Sequence, residues 1–371
     1  MLGSAGRTNI IDCRVNGMSV LPGEFSEVTH SVPQDWASLS RYLAGRGMIL
    51  GPDRPRQFAG GFGNLNYLIK IDGTPAVLRR PPTGPVPVGA NDMAREYRIL
   101  SSLWQAYPLA PRAMLFCNEA GVLGAHFQII EYRPGLSIRD TLPPELAGHP
   151  ETGALLSRQL IEALAALHAV DPGQVNLETL GRPAGFLART VEGWSARAGA
   201  VAELINLRAS SETVDWLRRR VPPDAPPTLI HSDFKLDNMI LAAGTLAPVA
   251  VIDWDMGTRG DPLWDLAVML SYWVEPGDPS CLHRMRQMPT AQPGFWRREE
   301  VLATYLRLTN RAAADFSFYR VLSVFRSGVV FLQLYDRFRR APGPDRRCAE
   351  FAALGRDLVD HAFDISRGRA A

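Results

Sequence analysis

A chain of 371 residues, 46% hydrophobic and 21% charged with a net charge of +2, has the composition of a large folded protein and excludes a disordered polymer or a fibre. Its length allows two lobes with a shared or split core. Cys13, Cys117, Cys281 and Cys348 lie far apart with no Cys-x-x-Cys pair, which argues against a disulfide scaffold or a zinc site and predicts reduced thiols.

Residues 1–30 carry no sustained period and read as a loose extension, without the continuous apolar run of a secretory leader. Trp36, Leu39 and Leu43 then fall on one helical face between Pro33 and the stop signal Gly45-Arg46-Gly47. Alternating Leu65, Tyr67, Ile69 and Ile71 predict a half-buried strand, and a second strand over 76–80 follows the turn Asp72-Gly73-Thr74-Pro75. The preceding Gly60-Gly61-Phe62-Gly63-Asn64 offers backbone N–H groups that could cover phosphates at Gly61, Gly63 and Asn64, although an ordinary glycine-rich turn has the same composition. A helix over 91–105 carries the stripe Met93, Tyr97, Leu100 and Trp104. A strand over 125–131 ends in Glu131-Tyr132-Arg133-Pro134-Gly135, a hinge.

Beyond the hinge the pattern is helical, at 154–168, 211–220, 262–273, 297–310, 315–338 and 347–364. His168, at a helix end, reads as a hydrogen-bonding group rather than a catalyst. Asp261 before Pro262 is an N-cap, and Asp265 is expected to serve the same helix start. The apolar stretch 321–334 is broken by Arg326, short of the roughly 20 residues a membrane span needs. A cytoplasmic protein with no membrane or nucleic-acid partner is expected.

The chemistry concentrates in His231-Ser232-Asp233-Phe234-Lys235-Leu236-Asp237-Asn238, flanked by the apolar runs 228–230 and 239–241, and in Ile252-Asp253-Trp254-Asp255 at the end of a third run. Phosphoryl transfer needs a carboxylate for the hydroxyl proton, oxygen ligands for Mg²⁺ and positive charge beside the migrating group. Asp233 is placed as the base, Lys235 as the charge-neutralising cation, and Asn238 with Asp253 as the metal ligands. His231 is read as structural, tying its loop toward Asp253. Asp255 either meets a second metal or solvates the loop.

These residues carry a family likeness. The His-x-Asp…Asn loop resembles the protein-kinase-like superfamily, and IDWDMGTRGDPLWDLA (252–267) resembles its aminoglycoside phosphotransferase branch, with Ser232 standing where that branch usually has Gly. With Val-Leu-Arg-Arg-Pro-Pro (77–82), the sequence is most similar to the phosphotransferases found fused to acyl-CoA dehydrogenases. The resemblance covers about residues 55–340. It implies an α+β, bilobal protein-kinase-like fold: an N-terminal nucleotide-binding lobe over 31–133, with an antiparallel sheet and a helix, and a larger, mainly helical catalytic and acceptor-binding lobe over 134–371. It implies that Arg79 occupies the usual lysine position, pairs with Glu96 and holds nucleotide phosphates. It also implies that backbone groups around Glu131, Tyr132 and Arg133 meet the nucleotide base, with ATP the expected donor, GTP left open, and Mg²⁺ the cofactor.

The acceptor is a small molecule with a hydroxyl group. From 282 to 347 there are 13 arginines against 5 acidic residues, a balance of +8, which favours an anionic acceptor over a polycation, though a solvated helical surface has the same composition. The resemblance implies a 4-hydroxyacyl-CoA, phosphorylated in preparation for elimination, with an acyl-CoA dehydrogenase-type enzyme as pathway partner. An aminoglycoside or other hydroxylated metabolite stays open as acceptor. So does a different class, a nucleotide-binding pseudokinase acting as an interaction module, for which the missing strand lysine speaks.

Overall fold

The computed structural model describes residues 31–59, 63–82, 91–313, 315–340 and 350–370, with the strand pair β1 (Arg14–Val15) and β2 (Met18–Ser19). The rest of the proposed 1–30 extension, and Gly61 with its neighbours at 60 and 62, lie outside the described residues.

Helix α1 (Trp36–Ala44) starts at Asp35, whose side chain accepts the Ser38 N–H. A five-stranded antiparallel sheet follows from β3 (Arg56–Gln57), β4 (Leu65–Ile71) and β5 (Thr74–Arg80), interrupted by α2 (Met93–Leu100) and completed by β6 (Ala113–Cys117), the short α3 (Ala120–Leu123) and β7 (Phe127–Glu131). Its order is β3-β4-β5-β7-β6. The β4–β5 turn is tighter than the sequence suggests. Ile71 pairs with Thr74, and Asp72 and Gly73 alone make the turn at φ 50° and 77°. Because strand side chains alternate, Ala76 and Leu78 join Leu39, Leu43 and Phe127 in one apolar cluster, while Val77 and Arg79 face the other way. The expected helix over 91–105 breaks after Leu100 into a separate turn at Leu103–Gln105, and Trp104 ends 36% exposed, off the buried stripe of Met93, Glu96, Ile99 and Leu100.

The second, larger cluster belongs to the remaining helices and two short ladders. In chain order these are α4 (Pro144–Ala147), α5 (Pro150–His168), α6 (Phe186–Gly199), α7 (Leu207–Arg218), β8 (Thr228–Ile230), β9 (Met239–Leu241), β10 (Pro248–Val251), β11 (Thr258–Gly260), α8 (Pro262–Ser271), α9 (Ser280–Arg284), α10 (Arg298–Thr309), α11 (Ser317–Arg339) and α12 (Phe351–Ser366). Strand β8 pairs with β11 and β9 with β10, both antiparallel. The loop after β8 and the loop after β10 therefore run side by side, joined where the Ile252 N–H donates to the Asn238 carbonyl at 2.9 Å. Helices α11 and α12 approach through glycines: a Cβ on Gly328 would sit 2.9 Å from the Gly355 carbonyl oxygen. That contact fixes α11, which carries Arg326. No helix among the described residues is long and apolar enough to cross a membrane. Cys117 and Cys281 are buried free thiols.

Candidate active site

The loop after β8 is held from below by a buried carboxylate. Asp265 accepts the N–H groups of His231 and Ser232, each at 2.7 Å, and meets His168 Nε2 at 3.1 Å, while His168 Nδ1 contacts the Tyr305 hydroxyl at 2.6 Å. Asp265 is thus an anchor for the loop and not a cap. Asp261 does cap α8, accepting the Leu263 N–H at 2.8 Å. Helical side chains lean toward the N-terminus, which carries Asp265 back over the start of α8 to the loop.

Ser232 sits at φ 67°, the left-handed region that favours glycine, and its N–H and carbonyl are both bound, to Asp265 and to Arg326 Nη2. Asp265→Ala would leave two buried N–H groups without partners, at about 1–3 kcal/mol each. A lower urea midpoint with unchanged m-value is expected; an unchanged midpoint would remove Asp265 from this role.

His231 ties the two loops together, as its sequence position suggests, but through a different atom. Its Nδ1 receives the Asp233 N–H at 3.3 Å, so Nε2 carries the hydrogen and donates to the Ile252 carbonyl at 2.9 Å rather than to Asp253.

Asp233 is surrounded by donors. Its Oδ2 meets Lys235 Nζ and Asn238 Nδ2, both at 3.2 Å; its Oδ1 accepts the Tyr272 hydroxyl at 2.7 Å and lies 3.8 Å from Arg326 Nη2. Burial would raise this carboxyl, but Lys235, Arg326 and the Tyr272 hydrogen bond outweigh it and hold it well below the usual carboxylate range. Burial likewise opposes the charge on Lys235, and Asp233 overrides it, so the ammonium is raised above its ordinary value. Lys235 also donates to Gln287 Oε1 at 3.1 Å. Sequence patterns assign none of Tyr272, Arg326 and Gln287 to the site. The signal for one of them was present, since Arg326 is a lone charge inside an apolar helical run and is buried.

Asn238 and Asp253 stand on adjacent loops, joined through the Ile252 N–H and the Asn238 carbonyl. The Asn238 amide nitrogen donates to Asp233 O at 2.9 Å, which leaves its carbonyl oxygen as the end free to face a cation. Beside Asp253, burial first, then Asp253 and Glu96, push the Asp255 carboxyl up to about 8. Its Oδ2 accepts the Asn91 N–H at 3.0 Å, and Asn91 Nδ2 donates to Asn64 Oδ1 at 2.9 Å, linking the glycine hairpin to this loop. Carboxylate and amide oxygens are the donor types that suit a hard divalent cation. Among the described residues no three His, Cys, Asp or Glu side chains form a metal cluster, so a cation here would complete its shell from substrate oxygens and water.

The expected Arg79–Glu96 pair is present at 3.1 Å, on buried side chains. Arg79 Nη1 donates to Asn66 Oδ1 at 3.1 Å and Nη2 to Asp253 Oδ1 at 2.6 Å, so all three guanidinium nitrogens are engaged. Burial opposes its charge; Glu96 and Asp253 outweigh that and raise it further. Glu96, itself raised by burial, also accepts the Trp254 N–H at 3.2 Å.

At the hinge, Glu131 accepts from Arg133 Nη2 at 3.0 Å, its N–H is spent on the Arg112 carbonyl at 2.8 Å, and Tyr132 stacks on Phe58 with centroids 6.3 Å apart. Arg133 reaches the Val249 carbonyl at 3.3 Å and braces hinge against ladder. Gly63 stands beside Asn64 at the start of β4.

The model of the Phosphotransferase enzyme family matches residues 54–301. A chicken (Gallus gallus) protein named Acyl-CoA dehydrogenase family member 11 is 30% identical over 363 residues, covering 94% of this chain but 46% of that protein, so the chain spans about half the length of this relative. Among solved structures, a provisionally named aminoglycoside phosphotransferase from Ralstonia eutropha superposes with a TM-score of 0.74 at 22% identity, over 91% of this chain and 99% of the other. A thermostable mutant of aminoglycoside phosphotransferase APH(4)-Ia, in ternary complex with AMP-PNP and hygromycin B, gives 0.55 at 16% identity, over 88% and 98%. These likenesses show a bilobal protein-kinase-like fold. With the family model matching two thirds of its length, the chain belongs to the phosphotransferase enzyme family, as a kinase-type enzyme with an alcohol group as acceptor.

Proposed function

We propose that this chain is an ATP-dependent kinase for an anionic hydroxylated small molecule, with a 4-hydroxyacyl-CoA as the acceptor that fits best. The observation that carries this is the charge around Asp233: one carboxylate is flanked by Lys235 at 3.2 Å and Arg326 at 3.8 Å, a net positive wall where the acceptor hydroxyl must dock. A polycationic aminoglycoside would meet like charge there. The Arg-rich segment itself contributes less than its composition suggests. Arg284 pairs with Asp357, Arg298 with Asp278 at 2.6 Å, Arg339 with Glu203 at 2.6 Å and Arg340 with Asp336 at 2.9 Å. Arg286, exposed and next to Gln287, has no ion-pair partner among the described residues and is the arginine best placed to meet an acceptor anion. The name of the chicken relative supports a substrate in acyl-CoA metabolism and an acyl-CoA dehydrogenase-type enzyme as pathway partner.

In this reading residues 31–133 bind the nucleotide and 134–371 carry catalysis and acceptor binding. The acceptor oxygen bonds to the γ-phosphorus while the bond from that phosphorus to the ADP oxygen breaks, and the hydroxyl proton passes to Asp233. Lys235 neutralises charge on the transferring group. Asn238 and Asp253 would hold Mg²⁺, which when bound would supply charge stabilisation at the phosphate oxygens. Arg79 reaches the phosphates with the Nη hydrogens that Asn66 and Asp253 leave free, and Gly63 and Asn64 cover them from the hairpin. Since the Glu131 N–H is already spent, base recognition falls to the Glu131 carbonyl and to the backbone of Tyr132 and Arg133. Catalysis is then chiefly positioning and electrostatics.

The test is an ATP- and GTP-consumption screen over a short-chain 4-hydroxyacyl-CoA, the same hydroxy acid without CoA, and an aminoglycoside. Acceptor-dependent ADP release with the CoA ester, and little with the free acid, is expected. Efficient phosphorylation of the aminoglycoside alone would overturn the anionic-acceptor reading.

A further inference from the structure

The side chains around Asp233 include two that no motif of the loop accounts for. Tyr272 follows the last turn of α8, and Arg326 lies in the middle of α11, 39 and 93 residues away in sequence. Arg326 Nη1 donates to the Tyr272 hydroxyl oxygen at 2.8 Å, so the tyrosine's own hydrogen is directed at Asp233 Oδ1, 2.7 Å away. Arg326 Nη2 holds the Ser232 carbonyl at 3.2 Å, and its guanidinium lies 5.6 Å from the Trp194 ring and 6.0 Å from the Tyr272 ring.

Burying a guanidinium is costly unless it is paired, and among the described residues Arg326 has one ion-pair contact, Asp233, at the long distance of 3.8 Å. Packing alone would be served as well by an apolar residue of similar volume, as at Leu322 and Val329 on the same helix, both fully buried. The arrangement therefore serves the loop.

A carboxylate has about four lone-pair directions. Lys235 and Asn238 take those of Oδ2, and Tyr272 takes one of Oδ1. We propose that Tyr272, locked by Arg326, is a positioning residue for phosphoryl transfer: it fixes the Asp233 carboxylate so that one direction, on Oδ1 beside the tyrosine oxygen, is left for the acceptor hydroxyl. The proton of that hydroxyl moves to Oδ1 as the new O–P bond forms and ADP leaves; Tyr272 keeps its own proton throughout. This inference rests on the kinase reading with Asp233 on the acceptor side.

Tyr272→Phe removes one oxygen and preserves the ring. It is expected to lower kcat by about 10–10²-fold, the scale of loss from a small misplacement of reacting groups, and to leave KM for ATP and the MgATP Kd unchanged. Arg326→Lys, which retains the charge, should recover part of what Arg326→Met loses. In the Asp233→Asn background Tyr272→Phe should cost nothing further, because the group it positions is gone.

A merely structural role predicts the opposite: equal losses in both backgrounds, with MgATP affinity and melting temperature falling together. Turnover is followed with water as acceptor as well as with whichever acceptor the screen identifies. The result therefore does not depend on the CoA ester. Wild-type kcat in Tyr272→Phe, or a full loss retained on Asp233→Asn, would overturn the proposal, whereas a wild-type protein that consumes no nucleotide would overturn the kinase reading itself.

Discussion

Asp233→Asn is expected to lower turnover by about 10²–10⁴-fold, the usual worth of a positioned base, while MgATP continues to bind. The substitution keeps the shape of the side chain, but an amide has one oxygen and can accept on one side only, from Tyr272 or from Asn238 and Lys235. It loses the charge that Lys235 and Arg326 are arranged around, so two buried cations face a neutral group. Some loss of stability should accompany the loss of rate. The two are separated by measuring single-turnover phosphoryl transfer at a temperature well below the melting transition. Near-normal transfer by a folded Asp233→Asn protein would take Asp233 out of the reaction.

Asp253→Ala should abolish the Mg²⁺ dependence of nucleotide binding and lower turnover by on the order of 10²-fold or more, the several kcal/mol that metal stabilisation of a phosphoryl oxygen contributes. The structure sharpens this test. Asp253 also accepts from Arg79 Nη2 at 2.6 Å, so removing it frees one arm of a buried arginine that phosphates can take up. ATP binding in EDTA should therefore be preserved or tightened even as binding in Mg²⁺ weakens. If titrations gave equal affinities with and without Mg²⁺ for the wild type, or an unchanged Mg²⁺ response for Asp253→Ala, the metal assignment would be wrong.

What sequence could show depended on how far apart the cooperating residues lie along the chain. Asp233, Lys235, Asn238 and Asp253 fall within two short segments whose spacing places them on adjacent strand ends, and β8, β9 and β10 form where the apolar runs predict. Tyr272, Gln287 and Arg326 reach the same point from three separate helical or loop segments, and no local pattern links them. Asp265 was misread because a carboxylate in the first turn of a helix has a sufficient local explanation; its true partners are more than 30 residues upstream. The arginine excess was visible, but its neutralisation by Asp357, Asp278 and Glu203 is a property of folding that one-dimensional charge counting leaves out. Helix α6 escapes a search for apolar runs because its buried stripe, Leu187, Val191, Trp194 and Ala198, is only one residue wide.

Arg79 engages Asn66 on β4, Glu96 on α2 and Asp253 from the loop after β10, three elements on two sides of the cleft, through three different nitrogens. A lysine has one nitrogen on a flexible stem and could not span all three in a fixed plane. The arginine thus acts as a rivet through the cleft in the resting protein, and swinging the sheet away from the helices at the 131–135 hinge means breaking a charge-assisted bond first. Ordering that a freely hinged pair of lobes would meet only on closing is, at this one contact, already present in the folded chain.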